Sequence, residues 1–283
     1  MRTFAQVDVF TNERYRGNPL AVVLDAEGMT DAQMARFANW TNLSETTFLL
    51  PPTDPAADYR VRIFTPSTEY PFAGHPTIGS CHAWLEAGGV PKGDLVIQEC
   101  GAGLVPLRRS GDRLAFAAPP LLRSGPLSSA ELADVCTALG IHESAVVDSN
   151  WVDNGPGWVA VLLDSAEAVL AVEPNFGAVD DFAIGVAGVR RTTKVGVVAT
   201  ENIGLVVRAV YNEKGDSGED PVTGSLNASV AQWLLSTGQI TAPYVASQGT
   251  KLGRDGRIHI EQSNGEIWVG GDAVTCISGT VEL

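Results

Sequence analysis

Two glycine-bearing turns, each followed by an apolar stretch, are the segments of this sequence most able to do chemistry. They read Pro71-Phe72-Ala73-Gly74-His75-Pro76-Thr77 and Gly218-Glu219-Asp220-Pro221-Val222-Thr223-Gly224-Ser225. Pro76 suits the first position of a helix, where a missing N–H is harmless, and Ser225 is expected to open a second helix after an acidic turn. Unpaired N–H groups and the dipole at such helix starts attract an anion. The two starts could hold a carboxylate in one cleft between the halves, although the same pattern is typical of ordinary capped helices.

Glu45 is the third candidate for chemistry. It follows Ser44 and directly precedes the apolar run Thr46–Leu50, which is expected to be a strand. A carboxylate that is partly removed from water can exchange protons near neutral pH. A solvated glutamate at the start of a strand is the alternative interpretation of the same residues.

These segments resemble the signature motifs of the PhzF family, the phenazine-biosynthesis isomerases and their relatives. The resemblance covers nearly the whole chain, and several motifs in the family's order are far more specific than any single one. The matching segments are Val7-Asp8-Val9-Phe10-Thr11, Gly17-Asn18-Pro19, Ser44-Glu45-Thr46, Arg62-Ile63-Phe64-Thr65-Pro66 with Glu69, Gly74-His75-Pro76-Thr77, Glu219-Asp220-Pro221-Val222-Thr223-Gly224-Ser225, Gln248-Gly249, Gly253-Arg254-Asp255-Gly256-Arg257 and Gly270-Gly271.

The resemblance implies a role for each matching site residue. Glu45 corresponds to the family's proton-transferring carboxylate, and the backbone amides at the two helix starts correspond to its carboxylate clamp. The residues that the resemblance places around the substrate are Ser44, Gly74, His75, Asp220, Gly224 and Ser225.

Cysteines are absent from both glycine-bearing turns. In the related epimerases and racemases, two cysteines flank the substrate carbon as acid and base. The corresponding turns here carry Ala73 and Pro221, and all four cysteines lie elsewhere in the sequence. The resemblance therefore disfavours a two-thiol racemisation and favours one carboxylate, Glu45, that takes a proton and returns it.

The activity that the resemblance implies is a proton shift without a cofactor. The substrate would be a small carboxylate derived from an amino acid, with a dihydroaromatic or cyclic diene system, in bacterial secondary metabolism such as phenazine or antibiotic biosynthesis. Two other interpretations stay open. One is another proton-transfer or lyase-like step on an alkylproline-type or related antibiotic intermediate, and the other is a non-catalytic protein that binds small acids. The resemblance also implies a homodimer.

Hydrophobic patterning indicates the elements that must position these residues. Pro76–Ala87 and Ser225–Ser236 are apolar nearly all round, which is typical of a helix inside a protein. Thr30 followed by Gln33 predicts a capping box at the start of another helix. Short strand-like runs, including Val195–Ala199, surround both apolar helices, so each half of the chain shows the same layout.

Strand-rich halves with few helices argue against a doubly wound α/β fold. Together with the resemblance, they predict an α+β, diaminopimelate epimerase-like fold, in which two similar domains each wrap a curved sheet or barrel around one buried helix. The break Ala118-Pro119-Pro120 divides a first domain, 1–118, from a second, 119–271. The closing strand 272–283 could complete the first domain.

Composition argues against several function classes. The 283 residues are 45% hydrophobic and 18% charged, with a net charge of −14, so a substantial core is expected and long disorder is not. The acidic balance argues against nucleic acid and a polybasic membrane anchor. No apolar run suits a membrane span or a secretory signal, so a cytoplasmic chain with free thiols is expected. The histidines form no HxH or HExxH pattern, so no metal site is expected.

Overall fold

The computed structural model describes residues 1–190, 203–213 and 216–283, so the predicted strand Val195–Ala199 lies outside the described residues. The chain divides into two compact units. Unit 1 consists of Met1–Ala117 together with Gly270–Leu283, and unit 2 consists of Ala118–Val269. None of the helices in the described ranges is long and apolar enough to cross a membrane.

Strands outnumber helices in both units. The helices are α1 (Asp31–Thr41), α2 (Gly74–Glu86), α3 (Ser129–Leu139), α4 (Ala166–Ala171) and α5 (Gly224–Ser236). The strands are β1 (Arg2–Val9), β2 (Asn18–Val23), β3 (Thr46–Leu50), β4 (Tyr59–Phe64), β5 (Glu69–Tyr70), β6 (Val96–Cys100), β7 (Gly103–Ser110), β8 (Arg113–Ala117), β9 (Arg123–Gly125), β10 (Val146–Asp153), β11 (Val159–Leu163), β12 (Phe182–Val189), β13 (Ile203–Glu213), β14 (Asp216–Asp220), β15 (Tyr244–Gln248), β16 (Gly256–Ser263), β17 (Glu266–Gly271) and β18 (Ala273–Val281).

The two units share one plan of strand pairing. In unit 1 the order is β18–β1–β2–β3–β4–β6–β7–β8, with β5 against β4. In unit 2 the order is β9–β10–β11–β12–β13–β15–β16, with β14 against β13. The parallel pairs fall at equivalent places, namely β2–β3 and β4–β6 in unit 1 and β11–β12 and β13–β15 in unit 2. The predicted repetition of layout is confirmed.

A helix lies inside each sheet, as the all-round apolar patterns predict. In unit 1, α2 contacts β1, β2, β3, β6, β8 and β18. In unit 2, α5 contacts β10 and β16, and its Leu226 lies against Gly185 of β12. The first eight residues of α2 are all buried, and α5 buries residues around its whole circumference. The fold class is therefore α+β, with a curved sheet around a central helix in each unit.

Local capping signals place the surface helices correctly. Thr30 caps α1 and forms the predicted capping box with Gln33, while Ser128 and Glu131 form the same motif at α3. These side chains satisfy N–H groups that would otherwise have no partner at a helix start. Met34, Phe37 and Ala38 form the buried face of α1.

Both buried helices begin earlier than predicted. Ala73 and Thr223 are the N-caps, so Pro76 is the third residue of α2 and not the first, and Ser225 is the second residue of α5. Proline is tolerated there because N–H groups throughout the first turn lack an intrahelical partner. The acidic pair Glu219-Asp220 ends the strand β14 and does not form a turn.

Strand β12 is an element that periodicity does not predict. It carries glycines at positions where a Cβ would collide with packed neighbours. At Gly185 the added atom would lie 2.6 Å from Leu226, and at Gly188 it would lie 2.3 Å from the carbonyl oxygen of Ser165. Glycine weakens a strand pattern in sequence but permits close packing in the fold.

The turn before β2 requires a glycine at position 17. A Cβ there would lie 2.2 Å from the carbonyl oxygen of Val9 and 2.7 Å from a methyl group of Thr11. We expect Gly17→Ala to lower the free energy of unfolding by about 2 kcal/mol, because the backbone must shift to relieve this overlap. Gly93→Ala is the matched control, since no atom lies within 4 Å of an added Cβ. Urea denaturation compares the two variants, and equal midpoints would contradict this account.

Candidate active site

Glu45 and His75 form a close pair in unit 1. Glu45 lies in the loop between α1 and β3, directly before the strand, and His75 is the second residue of α2. The distance between His75 Nδ1 and Glu45 Oε2 is 3.0 Å, and the two side chains are 4% and 15% exposed, respectively. Glu45 is therefore neither free in bulk solvent nor fully buried, and the structure brings two of the predicted site residues together.

The other nitrogen of His75 is left without a partner. His75 Nε2 is buried and makes no hydrogen bond within the part of the chain that the structure describes. When Glu45 is ionised, Nδ1–H donates to it, and Nε2 of a neutral ring is then an acceptor. A buried polar atom without a partner is costly, so this nitrogen is suited to a polar group of a ligand.

The start of α2 offers backbone donors beside this pair. Ala73 provides no side-chain cap, and Pro76 has no N–H to contribute. The amides of Gly74 and His75 make no hydrogen bond to any described residue, whereas the amide of Thr77 already donates to the carbonyl of Ala73. Two N–H groups at the positive end of a buried helix thus remain to bind an anion. Ser44 is exposed in the loop next to Glu45.

The start of α5 has the same character in unit 2. Its N-cap Thr223 makes no side-chain cap, and instead its hydroxyl donates to Asp220 Oδ2 at 2.5 Å. The amides of Gly224 and Ser225 have no hydrogen-bond partner among the described residues. Asp220, Gly224 and Ser225 therefore cluster within one turn at the end of β14 and the start of α5.

Two glutamines hold these helix starts in place, and sequence analysis did not single out their role. Gln98 on β6 receives a hydrogen bond from the Tyr59 hydroxyl and donates to Thr77 of α2. Gln248 on β15 receives hydrogen bonds from the Thr223 amide and the Asn227 side chain. Each glutamine lies 21 positions after its partner in the first turns of the helix, Thr77 or Asn227. This shared spacing is a signal that could have identified them.

Each unit contains a bidentate ion pair between an arginine and a glutamate. Arg62 binds Glu69 through two hydrogen bonds of 2.7 Å and also binds Asp31 at the start of α1. The guanidinium of Arg62 lowers the pKa of the Asp31 carboxyl. In unit 2, Arg208 binds Glu219 in the same bidentate manner, and both side chains are more than nine-tenths buried. Glu219, next to Asp220, is therefore a structural residue.

The four cysteine thiols do not form a pair like that of Glu45 and His75. Cys81 faces the interior of unit 1, and burial raises the pKa of its thiol to about 12. This thiol stays protonated at neutral pH and cannot act as a base there. All four cysteines are free, and none lies at either helix start.

Comparisons with known proteins point to one family. A family model described as phenazine biosynthesis-like protein matches residues 7–279. Antisense-enhancing sequence 1 of Schizosaccharomyces pombe is 37% identical over 300 residues, which cover 98% of this chain and 97% of that protein. Trans-2,3-dihydro-3-hydroxyanthranilate isomerase of Pseudomonas aeruginosa is 32% identical over 267 residues, which cover 92% of this chain and 90% of that enzyme.

Solved structures show the same fold. A phenazine biosynthesis protein of the PhzF family from Enterococcus faecalis has a TM-score of 0.79 at 23% identity, and the match covers all of both chains. A probable proline racemase from Agrobacterium radiobacter K84 has a TM-score of 0.55 at 15% identity, covering 100% of this chain and 93% of that one. The fold is thus of the PhzF and epimerase type.

Loss of Gln248 should destabilise unit 2. Its side chain bonds the Thr223 amide, the Asn227 amide group, the Thr223 hydroxyl and the Asp220 carbonyl. We expect Gln248→Leu to lower the free energy of unfolding by about 3 kcal/mol, because buried partners lose their hydrogen bonds. Gln262→Leu, at an exposed position of β16, should change it by less than about 0.5 kcal/mol. Urea denaturation provides the measurement, and an unchanged midpoint for Gln248→Leu would exclude the supporting role.

Proposed function

Because this chain belongs to the phenazine biosynthesis-like PhzC-PhzF family, we propose that this isomerase shifts a proton between two carbons of a small carboxylate without a cofactor. The proposed substrate class is an amino-acid-derived acid with a dihydroaromatic or cyclic diene system, from secondary metabolism. The name of the relative that acts on trans-2,3-dihydro-3-hydroxyanthranilate supports this class.

The contact between Glu45 and His75 is the observation that carries the proposal. A general base must be accessible to its substrate yet partly removed from water, and the Glu45 side chain is 15% exposed. The 3.0 Å contact with His75 fixes the orientation of the carboxylate. This arrangement argues against a solvated glutamate at a strand start.

The proposed reaction conserves all atoms. The Glu45 carboxylate takes a proton from a carbon that conjugation has made acidic, and the electron pair left behind spreads over the conjugated system. The protonated Glu45 then delivers the proton to another carbon of that system, and the carboxylate is restored. A proton carrier of this kind contributes roughly 10²- to 10⁴-fold to the rate.

Binding of the substrate carboxylate is assigned to backbone N–H groups. In unit 1 we assign this role to the amides of Gly74 and His75, and we assign His75 Nε2, which is buried without a described partner, as the acceptor for a hydroxyl or amine of the substrate. In unit 2, the amides of Gly224 and Ser225 offer donors of the same kind, with Asp220 as an acceptor for a substrate amine or hydroxyl. Hydrogen bonds between such donors and a charged acceptor are stronger than neutral ones.

Replacement of Glu45 tests the proton carrier directly. Glu45→Gln keeps the shape of the side chain and removes its ability to transfer a proton, so we expect kcat on trans-2,3-dihydro-3-hydroxyanthranilate to fall by roughly 10³-fold. Glu27→Gln makes the same charge change at an exposed position and should leave kcat unchanged. Circular dichroism confirms folding of both variants. Near wild-type turnover of Glu45→Gln would refute the role of Glu45.

Deuterium labelling distinguishes isomerisation from other chemistry. In D₂O, we expect a product with the composition of the substrate and with at most one deuterium, at a single carbon, because one carboxyl moves one proton and can exchange it with solvent before delivering it. NMR and mass spectrometry locate the label. A product that has lost a fragment would indicate a lyase-like step instead. Binding of the acid with neither conversion to an isomer nor exchange of any C–H proton would indicate a binding protein.

A further inference from the structure

The first strand of each sheet has an outer neighbour of very different length in the two units. In unit 1, β18 has nine residues and pairs with β1 along its full length, Arg2–Val9. In unit 2, β9 has three residues and pairs with β10 only at Trp151–Asp153. It ends before Pro126, which has no N–H for a further ladder hydrogen bond. Among the described residues no other strand pairs with β10 on this side, so the stretch Val146–Asn150 has an uncovered edge.

A cavity of about 560 Å³ lies beside this uncovered stretch, between β10 and the second half of α5. Both elements line it, with Asp148, Ser149, Asn150, Gln232, Trp233 and Ser236. All of these residues belong to unit 2. In unit 1, β18 contacts α2 as well as β1. The place that a strand fills in unit 1 is therefore open in unit 2.

The ninth residue of each central helix shows the effect of this difference. In α2 it is His82, whose Nε2 lies 3.2 Å from the hydroxyl oxygen of Thr275 on β18. In α5 it is Gln232, whose side-chain amide donates to the carbonyl oxygen of Pro119 at 3.0 Å. Gln232 Oε1 is buried and makes no hydrogen bond to any described residue. An unpaired buried acceptor is costly, and a strand placed as β18 is placed in unit 1 could supply the donor.

Asp148 gives the uncovered edge a negative charge. Its Oδ2 accepts a hydrogen bond of 2.7 Å from the Gln239 side chain, and its Oδ1 accepts one of 2.8 Å from the Ser149 amide. Both donors are neutral, and no lysine or arginine of the described ranges lines the cavity. A carboxylate with one donor on each oxygen can still accept further hydrogen bonds. An occupant of this edge therefore gains most if it carries a positive charge beside Asp148.

We propose that the uncovered stretch of β10 is a docking site for an extended peptide segment of another protein, with a lysine or arginine beside Asp148. The peptide adds to the sheet of unit 2 as β18 adds to that of unit 1. Its backbone supplies both N–H donors and C=O acceptors, which an uncovered strand edge requires. Its cationic side chain forms a charge-assisted hydrogen bond with Asp148. The inference uses none of the residues assigned to the substrate.

Three fluorescently labelled peptides test the two parts of this recognition separately. The first is Thr-Val-Thr-Lys-Thr-Val-Thr with blocked ends, which alternates as a strand does. The second has glutamate in place of lysine. The third keeps the lysine but is N-methylated at the lysine and at both of its neighbours, so it cannot pair with a strand there. Fluorescence anisotropy during titration with the full chain measures each dissociation constant.

We expect the lysine peptide to bind the wild-type protein saturably, with a Kd below about 500 μM. The glutamate peptide and the N-methylated peptide should each bind at least about tenfold more weakly. Absence of saturable binding by the lysine peptide would overturn the proposal. Equal binding of the N-methylated peptide would exclude strand addition, and equal binding of the glutamate peptide would exclude the contact with Asp148.

Charge reversal at Asp148 tests the location of the site. Asp148→Lys should reverse the preference, so that the glutamate peptide binds about tenfold more tightly than the lysine peptide. Asp112→Lys makes the same change at an exposed turn of unit 1 and should keep the wild-type preference. If both variants weaken binding of the lysine peptide equally, the attraction is to the net charge of the protein and the proposal is wrong.

Two further measurements complete the test. Asp148→Asn keeps the shape of the side chain, so it serves if circular dichroism shows that Asp148→Lys does not fold. It should weaken binding of the lysine peptide about tenfold without favouring the glutamate peptide, and unchanged binding would overturn the proposal. Sedimentation velocity tests whether a second copy of this chain covers the edge instead. Loss of a dimer in Asp148→Lys but not in Asp112→Lys would assign the edge to a second copy and overturn the proposal.

Discussion

Each unit is built around a central helix whose buried start lacks a side-chain cap, and the rest of the unit must accommodate the unpaired N–H groups there. A helix leaves its first N–H groups without an internal partner, and most helices satisfy them with a serine, threonine, aspartate or asparagine side chain. The two central helices do not, since Ala73 makes no cap and Thr223 turns its hydroxyl towards Asp220. The free amides keep their donor capacity in a shielded environment, and only an added acceptor can satisfy them. The surrounding strands, glutamines and ion pairs hold this unsatisfied geometry in place.

The two units share one scaffold but place different side chains around the start of the central helix. At the start of α2, the neighbouring side chains are Glu45 and His75, which can hold and move a proton. At the start of α5, the neighbours are Trp158 and Asn154, which donate hydrogen bonds to the hydroxyl oxygen and the carbonyl oxygen of Ser225. In both units a glutamine side chain anchors the central helix, Gln98 in unit 1 and Gln248 in unit 2. The side chains around the free amides differ between the units. The repeated part of the fold is thus the uncapped helix start with its glutamine, and the side chains around it are not repeated.

Sequence analysis succeeds where the signal is local and fails where it depends on distant neighbours. The α1 cap is confirmed because Thr30 and Gln33 are three residues apart and satisfy each other. The central helices are confirmed because their apolar pattern is continuous, yet their first residues are misplaced because no capping side chain marks them. Strand β12 is missed because its glycines are explained only by Leu226 and Ser165, which lie elsewhere in the chain. The hydrogen bonds by which Gln98 and Gln248 hold the helix starts are missed for the same reason.

The pairing of β1 with β18 fixes an order of events during synthesis. β1 lies between β2 and β18, so one whole edge of this first strand is completed by a segment that is translated after all of unit 2. Unit 2 has every strand of its sheet available before β18 leaves the ribosome, whereas unit 1 does not. While unit 2 is synthesised, the edge of β1 that later pairs with β18 has no native partner and must be kept from pairing with other strands. Completion of unit 2 before unit 1 reverses the usual order, in which the earlier part of a chain folds first. The half that carries Glu45 and His75 is therefore the last to have all the strands of its sheet.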